Sequence, residues 1–284
     1  MMILFFLTII TLTSAKGHFE TEIYESKILK QTIKYNIYYP DRYSKSKKYP
    51  VIYGLHGMGW NHTYYDLYEP YFNKAIKERQ IQPFLMFVPD AHNSFFINTN
   101  DGKFNYEDFF FNEFIPFIES KYPIETTKLK PSIFGISMGG YGSVYYSLIK
   151  KDYFSSVVAL SPALLIDDYD YLKSICTKES NTKLCFQSKF VFEVFGDENR
   201  YLDHNINSII KSYPKGTFTT PTYACIGKQD YLHDLVIDAK YVFEEYDLNS
   251  IYEYDEIGEH EEWYWMTKIL KALIFIQNHW NKTI

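Results

Sequence analysis

Residues 27–39 (KILKQTIKYNIYY) alternate apolar and polar positions. That two-residue period predicts a half-buried strand, which Pro40-Asp41 ends. Further along, the short apolar runs 51–55 (VIYGL) and 84–88 (FLMFV) read as buried strands, and 132–136 (SIFGI), 157–160, 190–195 (FVFEVF), 222–226 and 251–255 as further strands. Between them lie stretches with helical spacing: 64–78, 106–122 with Asp108 placed to support its first turn, 138–150, a segment near 203–212, 233–246 and 261–280. Strands that alternate with helices predict an α/β fold, a mostly parallel central sheet with helices on both faces. Functional groups in such sheets gather just beyond the carboxyl ends of strands. That rule filters the candidate motifs.

The first twelve residues (MMILFFLTIITL) are almost wholly apolar, and Thr13-Ser14-Ala15 follow. A short apolar run ending in small residues reads as a secretory signal peptide, residues 1–15, cut after about Ala15. It falls short of the ~20 residues of a membrane span, so no stable membrane insertion is expected. Residues 16–284 then form one catalytic domain, since no repeat, low-complexity tract or Gly/Ser/Pro-rich linker divides them. The implied location is extracytoplasmic or secreted. The sequons at Asn61 and Asn281 fit export. Cys176 and Cys185 flank a polar stretch and could close a small loop in an oxidising compartment, whereas Cys225 lies in a strand-like run and reads as a buried thiol.

Composition excludes more than it identifies. Hydrophobic residues at 46% and charged residues at 23% suit a folded globular chain. With 29 Lys+Arg against 35 Asp+Glu, and no basic block, nucleic acid is not an expected partner. No H-E-x-x-H, CxxC or Cys/His zinc spacing occurs, so neither a metal nor an organic cofactor is expected.

Gly135-Ile136-Ser137-Met138-Gly139 is a G-x-S-x-G motif between an apolar strand and a helical stretch. A nucleophilic serine on a tight strand-to-helix turn needs that arrangement. Small neighbours let strand and helix approach, and the helix N-terminus can stabilise negative charge. Ser137 is the candidate nucleophile. The oxyanion donors expected with it are the main-chain N–H groups of Met138, just after the nucleophile, and Met58, on the loop after the 51–55 strand. His56 in that loop reads as an orienting residue.

The chain order serine, acid, histidine restricts the base to His204, His233, His260 or His279. Only His260 follows the last strand on a loop, so it is the candidate base. For the acid, Asp230 follows the penultimate strand and is favoured by strand order. Asp197, after 190–195, is the rival. Trp60, Phe95, Phe96, Trp263 and Trp265 lie near these loops, where they could line a pocket or pack in the core.

Taken together, these segments resemble the esterase D-like branch of the α/β-hydrolases, which includes tributyrin, feruloyl and acetyl-xylan esterases, S-formylglutathione hydrolases and mycolyltransferases. The likeness runs through YNIYYP, LHGMGWNH, VPDAHNSFF, NYEDFFFNEFIPFIESKYPI, GISMGGYGS, CIGKQDYL and IGEHEEWYW. The family's Gly-x-x-Asp-x-Leu motif maps onto Gly227, Asp230 and Leu232. Its Gly-x-His-x-x-Trp motif maps onto Gly258, His260 and Trp263. The resemblance therefore selects Asp230 over Asp197. It implies an α/β-hydrolase fold and a secreted serine carboxylic-ester hydrolase that cleaves short-acyl or carbohydrate-linked esters through an acyl-enzyme. The expected partner is a small-molecule or carbohydrate ester. An acyltransferase using the same triad is the alternative, and a binding protein on the same scaffold a more distant one. Residues 163–189 match no member and read as a variable excursion near the site.

Overall fold

The computed structural model describes residues 16–178 and 183–281, without the side chains of 175–178 and 183–188. Residues 1–15, read above as a signal peptide, the Cys176 and Cys185 side chains and the end of the Asn281 sequon lie outside the described residues.

Eight strands form one sheet: β1 (His18–Ser26), β2 (Gln31–Tyr39), β3 (Val51–Leu55), β4 (Leu85–Pro89), β5 (Ser132–Ile136), β6 (Ser156–Leu160), β7 (Thr222–Gly227) and β8 (Ser250–Asp255). Their spatial order is β1-β2-β4-β3-β5-β6-β7-β8. The β1–β2 and β2–β4 pairs are antiparallel, and every pair from β4 to β8 is parallel. β3 to β7 are buried at every position, because helices cover both faces. Alternate residues then serve opposite cores: Ile133, Val157 and Ala159 on one face, Phe134, Val158 and Leu160 on the other.

The helices are α1 (Glu69–Lys77), α2 (Tyr106–Phe109), α3 (Ile115–Lys121), α4 (Met138–Ile149), α5 (Tyr169–Lys178), α6 (Lys183–Phe195), α7 (Glu198–His204), α8 (Ile206–Lys211), α9 (His233–Glu245) and α10 (Glu262–Asn281). Two long predicted helices are compound. A 3₁₀ turn, Tyr64–Tyr68, precedes α1, and a π turn, Phe110–Phe114, joins α2 to α3. Asp108 sits in the first turn of α2 but does not cap it; its N–H donates to Asn98 Oδ1 at 3.1 Å.

One expectation is corrected and one strand is added. Residues 190–195 are not a strand but the last turns of α6. Their aromatic and β-branched residues mimic a buried strand, and a short apolar run does not reveal its period. In the other direction, β1 is a strand that the sequence reading above does not assign, although Phe19, Thr21 and Ile23 alternate with Glu20 and Glu22. It is an edge strand of largely exposed residues, held by a nine-residue antiparallel register with β2. The 163–189 stretch leads from β6 into the α5 and α6 helices.

Candidate active site

The turn from β5 to α4 carries Ser137 at φ 57°, ψ −117°, a region that non-glycine residues rarely occupy. Neighbouring contacts impose it. Ser137 N–H donates to Leu160 O on β6 at 2.9 Å, and its carbonyl accepts from Ala163 at 2.9 Å and Tyr141 at 3.0 Å. The crowding around it explains the glycines of the motif. A Cβ on Gly135 would sit 1.8 Å from Gly139 O, and one on Gly139 would sit 1.9 Å from Leu55 O.

His260 and Asp230 arrive from two loops at the carboxyl ends of β8 and β7. The loops are knit to each other. Gln229 N–H donates to Gly258 O at 3.1 Å and Lys228 N–H to Asp255 O at 2.9 Å. His260 Nε2 lies 2.8 Å from Ser137 Oγ. His260 Nδ1 lies 2.9 Å from Asp230 Oδ2 and 3.0 Å from Oδ1. The Asp230 side chain is fully buried, and Oδ1 also accepts the N–H of Leu232 at 2.9 Å. An acceptor-only carboxylate on Nδ1 requires a proton there. That leaves the Nε2 lone pair facing the serine hydroxyl. The arrangement can take the proton from Ser137 Oγ and return it to a leaving group.

The imidazole is clamped by two rings. Tyr231 lies 4.7 Å away between centroids, and Trp265 meets it edge-on at 5.0 Å and 90°. Trp265 is itself anchored by its Nε1–H, which donates to Ser161 Oγ at 2.9 Å. Sequence reasoning did not identify Tyr231 or Ser161 as part of this arrangement. Their positions next to Asp230 and at the end of β6 were the available signals.

Met138 opens α4, so its N–H has no intrahelical acceptor. Met58 lies in a turn closed by Trp60 N–H on Gly57 O at 3.2 Å. Gly57 lines this side of the site, its Cβ direction falling 3.6 Å from Ser137 Cβ. Gly59 N–H donates to Asn93 Oδ1 at 2.8 Å, which ties the turn to the loop after β4.

The other candidates lie elsewhere. Asp197 is not at a strand end but caps α7, accepting from Arg200 N–H at 3.0 Å. His204 ends α7, His233 starts α9 and His279 sits late in α10. Phe95, Phe96 and Trp265 are buried in the core, whereas Trp60 and Trp263 are exposed.

The family model "Esterase: Putative esterase" matches residues 26–276. An acetyl esterase of Caldicellulosiruptor saccharolyticus is 29% identical over 190 residues, 66% of this chain and 69% of that protein. Further curated relatives are matched over only 16% to 30% of their own lengths. Among solved structures, a ferulic acid esterase superposes with a TM-score of 0.70 at 23% identity, covering 93% of this chain and 99% of that one. The substrate-bound fluorophosphonate-binding serine hydrolase F of Staphylococcus aureus gives 0.72 at 19% identity, covering 93% and 100%. The eight-stranded sheet is thus the α/β-hydrolase fold. With the model matched over almost the whole described chain, the protein belongs to the Esterase family and is a carboxylic ester hydrolase.

Proposed function

We propose that Ser137, His260 and Asp230 are the nucleophile, base and acid of a serine esterase that works through an acyl-enzyme. The observation that carries this reading is the continuous hydrogen-bonded line from Ser137 Oγ through the imidazole to the buried Asp230. His260 takes the hydroxyl proton as Oγ attacks the ester carbonyl. The Met58 and Met138 amides hold the oxyanion, each worth roughly 3–4 kcal/mol in comparable sites. His260 then protonates the departing alcohol, and water repeats the sequence on the acyl-enzyme. Asp230 keeps the imidazole in the required tautomer and stabilises its charged form.

The substrates are short-acyl or carbohydrate-linked esters. The names of the relatives support this, an acetyl esterase in sequence and a ferulic acid esterase in structure. Export is supported by the apolar 1–15 segment. Among the described residues no helix is long and apolar enough to cross a membrane.

The test is a hydrolysis panel of p-nitrophenyl acetate, butyrate and octanoate with methyl ferulate, for the native chain and Ser137→Ala. Turnover of short esters that the substitution abolishes is expected. Full activity in Ser137→Ala overturns the assignment.

A further inference from the structure

The main-chain turn that carries Met58 has a definite form. Trp60 N–H closes it on Gly57 O at 3.2 Å, and Gly59 stands at φ 78°. A left-handed third residue marks a type II turn, with Met58 and Gly59 in its middle. Type II differs from the commoner type I in the orientation of one peptide, here the one joining Met58 to Gly59. The partner of the Gly59 N–H therefore selects the form of the turn. That N–H donates to Asn93 Oδ1 at 2.8 Å, 34 positions along the chain.

Asn93 is held in place at a conformational cost. It lies in the loop after β4, where His92, Phe95 and Phe96 adopt φ of 48°, 52° and 62°. Left-handed backbone at residues other than glycine is strained, and it persists only where surrounding contacts impose it. Those contacts flank Asn93 on both sides. Before it, Asp90 Oδ1 accepts the His92 N–H at 2.9 Å. After it, Ser94 Oγ accepts the Phe96 N–H at 3.1 Å, and Phe96 O accepts from Tyr146 OH at 2.5 Å. The Phe95 and Phe96 rings are buried, Phe95 against Tyr141 and Phe195, Phe96 against His56. The same loop sends the Ala91 N–H to His56 Nε2 at 2.9 Å, and His56 Nδ1 lies 2.9 Å from Gly57 O. One strained loop thus fixes both peptides that flank Met58.

We propose that Asn93 is a positioning residue of the esterase reaction: its amide oxygen locks the Met58–Gly59 peptide in the type II orientation and so keeps the Met58 N–H aimed at the oxyanion. This rests on the reading of Met58 as an oxyanion donor. Without Asn93 the peptide is free to flip, because glycine accepts both signs of φ. Met58 then loses one of its two fixed neighbours, and a misplaced donor gives up rate in the chemical step. Asn93 acts through the main chain and not on the substrate, so ground-state binding is unaffected.

The experiment compares Asn93→Leu, which fills the space without an acceptor, with Asn93→Asp, which keeps one. Each is measured on p-nitrophenyl acetate and by inhibition with a trifluoromethyl ketone, which a nucleophilic serine converts into a tetrahedral oxyanion. Asn93→Leu should lower kcat about tenfold at unchanged KM and raise the Ki of the ketone by the same factor, and Asn93→Asp should recover most of both. A merely structural role would not move Ki in step with kcat. Gly59→Ala is the second variant. Its Cβ would meet nothing within 4 Å, so it acts through φ alone. It should lower kcat to a similar extent, and the double variant should lose little more than either alone. Native kcat in Asn93→Leu overturns the proposal. So does a loss that Asn93→Asp leaves unrestored, an unmoved Ki, or losses that multiply in the double variant. If circular dichroism shows Asn93→Leu unfolded, Gly59→Ala decides, and native kcat in it overturns the proposal. A loss in His56→Ala without one in Asn93→Leu refutes the role of Asn93 and leaves that of Met58 standing. The triad reading fails separately, if turnover survives Ser137→Ala.

Discussion

The buried imidazole of His56 accepts the main-chain N–H of Ala91 at Nε2, 2.9 Å away, and donates from Nδ1 to Gly57 O at 2.9 Å. This is one tautomer of a neutral ring, and both of its nitrogens are committed. In a trans peptide the C=O and N–H point in opposite directions. By holding Gly57 O, His56 therefore sets the direction of the Met58 N–H. His56→Ala is expected to lower kcat by about 100-fold with a smaller change in KM, the effect of a misplaced oxyanion donor. Steady-state kinetics on p-nitrophenyl acetate checks it, and an unchanged kcat counts against the role of the Met58 amide.

Asp230→Asn preserves the size of the side chain but places an amide against His260 Nδ1. The imidazole is then free to carry its proton on the nitrogen facing Ser137. A fall in kcat of roughly 10⁴-fold is expected, as in other triads that lose this carboxylate. Little change in melting temperature should accompany it. Activity within an order of magnitude of the native chain would remove Asp230 from the mechanism.

Gly135→Ala tests the packing beneath the nucleophile. The new methyl would meet the Gly139 carbonyl, both its oxygen and its carbon, with only main chain to move. The cost exceeds about 4 kcal/mol. Soluble expression and calorimetric melting of the variant report it, and a fold of native stability would show that the turn can shift.

The loop bearing His260 is braced from below. Buried Lys268 on α10 pairs with Glu253 at 2.8 Å and Asp255 at 2.6 Å on β8, and Tyr264 OH donates to Asp255 Oδ2 at 2.7 Å. Lys268→Ala leaves Asp255 without its cation and Glu253 with Lys271 alone, and costs about 3 kcal/mol in urea denaturation at pH 7. Burial alone would raise the Glu253 carboxyl, but hydrogen bonds from Lys268, Lys271 and Tyr223 outweigh it and bring the group down to about 2. A depressed carboxylate stabilises the fold above its ordinary 4.5 and loses that contribution as the pH falls toward 2. Glu253→Gln should therefore flatten the stability profile in that window, and a profile identical to the native one would refute the linkage.

Cys225 is fully buried on β7, and burial pushes its thiol up to about 12. The thiolate is the reactive form. At pH 8 the folded chain should leave Cys225 unmodified by iodoacetamide, with labelling only in denaturant, as peptide mapping would show. Rapid labelling of the native chain would mean that β7 opens.

Much of the site could be read from neighbouring residues. The G-x-S-x-G run carries its own steric explanation, since Gly135 and Gly139 must yield space to each other and to Leu55. The proposed acid and base follow strand ends, and the apolar runs of β3 to β7 announced a sheet covered on both faces. Local pattern misled at 190–195 and was passed over at β1. The 190–195 run looks like a strand until α6 is seen to continue upstream of it. β1 alternates over Phe19, Thr21 and Ile23 but carries few apolar residues, and its pairing with β2 fixes it as a strand.

Local residue order was enough for the fold class, the tight turn at Ser137 and a short list of candidate acids and bases. Those features depend on a few adjacent residues: a turn that needs glycine, a strand that needs two apolar faces. The three-dimensional chain decided the rest. His260 meets Ser137 across 123 positions and Asp230 across 30. His56 gains its tautomer from Ala91, and the Gly59 N–H gains its acceptor from Asn93. Proton position, ring orientation and peptide direction depend on contacts between groups far apart in the chain, and packing alone brings such groups together.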